Sequence, residues 1–244
     1  ELCPIGEATV RAAEAGHDLL LVCHTPARQR VAHAALLDAY RSESLPMRGL
    51  EQSVARLDAL QAKRARRFDG GAPSPERDGE PLAKALATRA VTAVSSPRPA
   101  FTRALNGKVV VVFPRLSALA DRITIEDTVL DEARFVVQAH APYGIEPAVE
   151  VVGVEPGQAE ITRAAETARR ADATVLFLYD AHLYPSNRTL LDALQTTVPA
   201  LGVVLMRDPW DAEYLAPGVT GVTAYGWRRC QLEAALARLL TPSF

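Results

Sequence analysis

From residue 91 onward, six short apolar runs recur between stretches of helical periodicity: "VTAVS" (91–95), "KVVVVF" (108–113), "VEVVGV" (149–154), "ATVLFLY" (173–179), "LGVVLM" (201–206) and "GVTAY" (221–225). Continuous apolar runs of this length suit strands covered on both faces. Between them, "AEITRAAETARRAD" sets Ile161, Ala164, Ala165 and Ala168 on one helical face, and "NRTLLDALQTT" and "RRCQLEAALARLL" carry similar stripes. Strands alternating with helices are joined by crossovers, which make neighbouring strands parallel. The expected fold is α/β: a three-layer αβα sandwich with a mainly parallel sheet, over residues 82–244.

The first 67 residues have a different character. "GEATVRAAEAG" reads as an Ala-rich helix closed by Gly16, since glycine takes the left-handed conformation cheaply. "DLLLVCH" then reads as a strand buried on both faces. A second helix is expected from about Pro26 to Tyr40, with Thr25 as N-cap and Pro26 at the first helical position. A third is expected over Gly49 to Arg67, where Leu50, Val54 and Leu57 share a face. Its basic end, "KRARRF", suits the negative end of a helix dipole better than an anion site. "DGGAPSPERDGEP" has the composition of a linker, so the predicted organisation is residues 1–67, a linker at 68–81, and 82–244.

With 27 Lys plus Arg against 29 Asp plus Glu, the chain has no net field to draw nucleic acid or an anionic membrane surface, and neither partner is expected. No apolar stretch approaches the roughly 20 residues that cross a bilayer. The start, "ELCPIGEATV", has neither the basic region nor the apolar core of a signal peptide, and without an initiating Met the chain is expected to begin inside a longer product. Cys3, Cys23 and Cys230 are odd in number and widely spaced, which fits buried free thiols in a reducing, cytoplasmic compartment better than disulfides or zinc. Asn187 to Thr189 matches the N-glycosylation pattern.

A nucleotide site would need a glycine-rich phosphate loop after the first strand, and no such loop occurs. Asp208 and Asp211, in "MRDPWDAEYL", follow a strand, where open α/β sheets place ligands and where paired carboxylates do acid–base work. Asp208 before Pro209 is also how a helix starts, and that structural reading is preferred. His140 and His182 fall in loop-like positions with no nucleophile motif beside them. Tyr179, Asp180, His182 and Arg188 are candidates for a sugar-facing loop at the end of the fourth sheet strand.

The stretch "EATVRAAEAGHDLLLVCHTPARQRVAHAALLDAY", with "LEQSVARLDALQAKR" after it, resembles the end of the catalytic barrel in glycoside hydrolase family 3, in its β-N-acetylhexosaminidase branch. The matching residues are Ala15, Gly16, Asp18, Val22, Cys23, Ser53, Val54, Arg56 and Lys63. "RDPWDAEYL" and "TAYG" are similar to stretches of that family's C-terminal sandwich. The resemblance implies the last strand and helix of a TIM-type barrel, a connecting helix, and the sandwich. It implies an intact enzyme that releases terminal β-linked N-acetylglucosamine by a retaining mechanism, with no metal or organic cofactor. The family's Asp-x-x-Met nucleophile stretch, its acid/base His and Asp, and its Lys-His-x-Pro-Gly sugar-binding stretch have no counterpart in this sequence. No catalytic residue is therefore assigned, and the implied partners are the remaining barrel, or another chain, and the sugar. By this resemblance His24 falls where the eighth barrel strand opens toward the substrate, which makes it a contact candidate rather than a catalyst. A lone barrel strand would leave both edges unpaired, so "DLLLVC" is expected to pack against missing chain or to be reorganised.

Overall fold

The computed structural model describes residues 3–23, 25–65, 78–95, 99–123 and 125–241. The chain divides into two units, Glu1–Arg77 and Asp78–Phe244.

In the first unit, α1 (Ile5–Glu14) packs on α2 (Pro26–Arg41), and α3 (Met47–Ala65) follows. The α1–α2 contact depends on small residues: a Cβ on Gly6 would sit 3.1 Å from the Ala35 Cβ. Helix α1 ends in a Schellman motif, with Gly16 at φ +90°, its N–H donating to Ala13 O and the His17 N–H donating to Ala12 O. Thr25 and Pro26 occupy the expected positions at the start of α2, although the Thr25 hydroxyl makes no capping bond. Helix α3 starts two residues before Gly49, and the basic residues beyond Ala65 lie outside the described residues.

The run 18–23 departs from expectation, because it forms no strand. Leu19 is 64% and Leu21 80% exposed. An apolar run becomes a strand only when a neighbour completes its ladder, and no neighbouring strand is described in this unit. The cysteines differ too: Cys23, on that run, is exposed, and Cys3 and Cys230 are half-buried rather than buried.

The second unit is the α/β sandwich. Its strands are β1 (Thr92–Ala93), β2 (Val109–Pro114), β3 (Ala148–Val152), β4 (Ala173–Leu178), β5 (Leu201–Leu205) and β6 (Thr220–Thr223). They lie in the order β1-β6-β5-β4-β2-β3, all parallel except β1, which pairs antiparallel with β6 at one edge. All six apolar runs are therefore strands of one sheet. The helices are α4 (Glu80–Ala90), α5 (Pro99–Ala104), the single turn α6 (Asp127–Leu130), α7 (Glu132–His140), α8 (Gln158–Ala168), α9 (Pro185–Thr197) and α10 (Arg229–Leu240). Helix α4 begins inside the segment expected as linker, whose residues 68–77 lie outside the described residues.

Every residue of β2, β4 and β5 is buried, which is why their sequences run apolar without alternation. Val109, Val111 and Phe113 point into a core shared with Phe135 of α7 and Leu232 and Leu236 of α10. Val110 and Val112 point into the opposite core, with Ile161 of α8 and Leu190, Leu191 and Leu194 of α9. Each fully buried side chain of this size contributes about 1.5–3 kcal/mol. Gly202 in β5 is required by Phe101 of α5, since a Cβ there would lie 2.4 Å from the ring. His140, expected in a loop, ends α7 and is fully buried. Its Nδ1–H donates to Val136 O at 2.7 Å, Nε2 has no partner, and burial holds its pKa below the usual histidine value.

The sheet runs outward from β2 to β3 on one side and through β4, β5 and β6 on the other. Strand order reverses between β2 and β4, and the carboxyl ends near such a reversal are where open α/β sheets hold ligands.

Candidate functional site

Beyond the carboxyl ends of β4 and β5, two loops bring four charged groups and a histidine together. The β4 loop supplies Asp180 and His182; the β5 loop supplies Arg207, Asp208 and Asp211.

Asp180 follows Tyr179 with φ at 42°, a left-handed conformation unusual for a residue with a side chain. Its carbonyl accepts from the Leu183 and Tyr184 amides at 3.0 and 2.9 Å, closing a tight turn into α9. Asn187, in the first turn of α9, fixes that turn from below: its Nδ2 donates to Tyr179 O at 2.6 Å and to Val154 O at 2.8 Å. At 2% exposure, with both amide hydrogens committed, Asn187 is not available as a glycan acceptor in the folded chain, whatever the sequon suggests.

The Asp180 side chain is buried and pairs with Arg207, whose Nη1 donates to Oδ2. Burial pushes the Asp180 carboxyl above its usual pKa, against the downward pull of Arg207. Arg207 lies between this carboxylate and the Trp227 ring, its Cζ 5.6 Å from the ring centroid.

Asp211 is 3% exposed and works inward. Its Oδ2 accepts the Ala181 amide at 2.8 Å, and its Oδ1 accepts the His182 amide at 2.8 Å and faces His182 Nδ1 at 2.9 Å. A carboxylate facing a ring nitrogen requires the proton there, so the neutral ring carries its hydrogen on Nδ1 and its lone pair on Nε2. Asp208 Oδ1 accepts the Trp210 amide at 3.1 Å at the start of a 3-10 turn, Trp210–Tyr214, in keeping with its preferred structural reading.

Of the sequence candidates, Asp180 and His182 meet in this cluster. Arg188 is engaged elsewhere: it pairs with Asp192 at 3.4 Å, and its Cζ lies 3.8 Å over the Tyr214 ring. His24 lies outside the described residues. Arg207 was not a candidate in sequence. The only signal available was its position just past an apolar run, beside the two aspartates.

No family model matches the chain, and no curated protein matches it. Solved structures do. A glycoside hydrolase family 3 β-N-acetylglucosaminidase from Paenibacillus sp. str. FPU-7 superposes with a TM-score of 0.70 and 28% identity over 97% of this chain. In architecture the chain matches the C-terminal portion of that family 3 enzyme. A fungal multi-domain family 3 β-N-acetylglucosaminidase shares this fold at a TM-score of 0.65 and 18% identity over 96% of the chain. The Bifidobacterium adolescentis family 3 β-glucosidase matches at 0.50 and 14% over 95%. The chain spans 45% of the length of the Paenibacillus structure and 27% of the fungal one. The similarity extends over residues of both units.

Proposed function

We propose that this chain is the C-terminal part of a retaining exo-glycosidase that hydrolyses terminal β-linked N-acetylglucosamine, with the nucleophile and the acid/base supplied from outside this chain. The observation that carries the reading is the 28% identity to a family 3 β-N-acetylglucosaminidase over 97% of the chain. It agrees with the local matches at Asp18, Ser53 and Arg56, which form one hydrogen-bonded cluster. Retaining hydrolysis needs a nucleophile and a separate acid/base group on opposite sides of the scissile bond. Among the described residues, Asp180 pairs with Arg207 and Asp211 with His182, and this reading assigns neither carboxylate the role of nucleophile or acid/base.

In this reading residues 1–67 complete a barrel wall, 68–81 connect, and the sandwich of 82–244 forms a scaffold beside the substrate cleft. The sugar and the rest of the barrel are its partners. The test is turnover of a chromogenic N-acetyl-β-glucosaminide by the chain alone and after co-expression with the barrel portion of a family 3 enzyme. Activity only in the combined sample is expected. Turnover by the chain alone overturns the assignment of the catalytic groups to another segment. No gain with any barrel portion, together with saturable sugar binding, replaces the reading with a non-catalytic sugar-binding module. Faster turnover of the matching β-glucoside assigns the chain to a β-glucosidase.

A further inference from the structure

We propose that Asp180, His182 and Asp208 form a site for a divalent transition-metal ion, zinc by preference, at the carboxyl ends of β4 and β5. A ring nitrogen of His182 and one carboxylate oxygen from each aspartate lie within 4.8 Å of one another. Ligand atoms about 2.0–2.2 Å from a tetrahedral zinc stand roughly 3.4 Å apart, so small side-chain rotations close the site.

The histidine distinguishes this cluster from a mere collection of acids. His182 is held by a third carboxylate that is not among the three ligands: buried Asp211 accepts a hydrogen bond from Nδ1–H and is itself anchored by the Ala181 and His182 amides. That leaves Nε2 as the free lone pair. A carboxylate that fixes the tautomer of a metal-binding histidine is the usual supporting arrangement in zinc proteins.

Charge points the same way. Three carboxylates face one guanidinium here, leaving an excess of two negative charges, which a divalent cation neutralises. Arg207 Nη1 donates to Oδ2 of Asp180, so the guanidinium is engaged through one oxygen of that carboxylate. One imidazole with two carboxylates suits zinc better than calcium or magnesium, which prefer all-oxygen shells. Three protein ligands leave a coordination position for water, and a bound ion ties the β4 loop to the β5 loop.

The test uses the full chain, stripped with a chelator and dialysed against zinc chloride or cobalt chloride. Saturable uptake of one ion per chain is expected, with a visible cobalt spectrum of low coordination number and paramagnetically shifted imidazole protons. The proton signals read histidine ligation without any variant. His182→Ala and Asp208→Asn should abolish uptake, and Asp211→Asn should weaken it by about 10–100-fold. Arg207→Gln should bind at least as tightly as the parent, because a competing cation is gone. Circular dichroism confirms that each variant is folded, and the exposed-face variant His33→Ala serves as a control that keeps its ion. Absence of saturable uptake, absence of shifted imidazole signals, or uptake unchanged in folded His182→Ala and Asp208→Asn overturns the proposal. None of these outcomes bears on the glycosidase reading, since all are measured without turnover.

Discussion

The Arg56 guanidinium grips both oxygens of Asp18, with Nε 2.7 Å from Oδ2 and Nη2 2.6 Å from Oδ1, while the Ser53 hydroxyl donates to Oδ1 at 2.7 Å. The two sequence stretches that carry the family resemblance, one around Asp18 and one around Ser53 and Arg56, are thus two halves of one contact. It fixes α3 to the segment that follows α1. A planar fork meeting both oxygens is a geometry that lysine cannot reproduce.

This contact sets an acid-dependent stability term. Hydrogen bonds from Arg56 and then Ser53 hold the Asp18 carboxyl at about 2, well below the usual aspartate value of 3.8. The folded state therefore binds the proton less readily than the unfolded state. The contribution is complete above the unfolded value and is lost as pH falls from there through about 2. A carbon-detected NMR titration of the Asp18 carboxyl should show a midpoint near that value in the parent. In Arg56→Ala it should move back toward the usual carboxylate range, and Arg56→Lys should fall between. A parent midpoint in the usual range would show that the fork does not hold in solution.

Gly202 and Phe101 form a second coupled pair. Gly202→Ala places a methyl group against the ring, where a Cβ has 2.4 Å of room, and should destabilise the chain by about 1–3 kcal/mol in urea. Phe101→Ala alone opens a cavity and should cost about 3–5 kcal/mol. The double variant should cost less than the sum, because the new methyl group enters the space the ring vacates. Strict additivity would mean that the ring does not define the glycine.

The sheet was legible because β2, β4 and β5 are buried on both sides, and such strands leave an unbroken apolar signature that local reading detects. The same signature misled at residues 18–23. Apolarity reports a capacity for burial, whereas a strand also needs a partner ladder, which no local window contains. Helix α7 drew no notice in sequence, being short, and its His140 was assigned to a loop although it caps a helix in the core. In the candidate site, Asp180 and His182 were visible as polar residues after a strand. Arg207 was not, because its partner Asp180 lies 27 residues away and only the parallel pairing of β4 with β5 brings them together. Asp211 looked like a potential acid in sequence and proved to be the group that orients a histidine.

Asn187 provides a test of the scaffold under that site. Replacing it with Ala leaves the Tyr179 and Val154 carbonyls without their donor, one at the turn into Asp180 and one just after β3. At about 1–3 kcal/mol for each buried group left unpaired, the loss should be among the larger ones available outside the hydrophobic core. Asn187→Asp should be worse at neutral pH than at acid pH, because only a protonated carboxyl can donate to one of the two carbonyls. Chemical denaturation at two pH values reads both effects. An Asp variant as stable as the parent at neutral pH would show that the clamp is not formed.

Leu19 and Leu21 separate the stability of this chain from its proposed assembly. Both are more than half exposed, so Leu19→Ser and Leu21→Ser should change the unfolding free energy by no more than about 0.5 kcal/mol, the range of ordinary surface substitutions. They should also make the isolated chain less prone to aggregate, because two bulky apolar side chains leave the solvent-facing surface. If the run completes a barrel wall, the same substitutions should reduce the activity recovered on co-expression with a barrel portion while the melting temperature of the isolated chain stays put. The measurement is recovered turnover at matched protein levels, alongside thermal melts of each variant. Unchanged recovery with unchanged melting would show that the run does not enter a barrel, and a large drop in melting would show that it is already buried in the isolated chain.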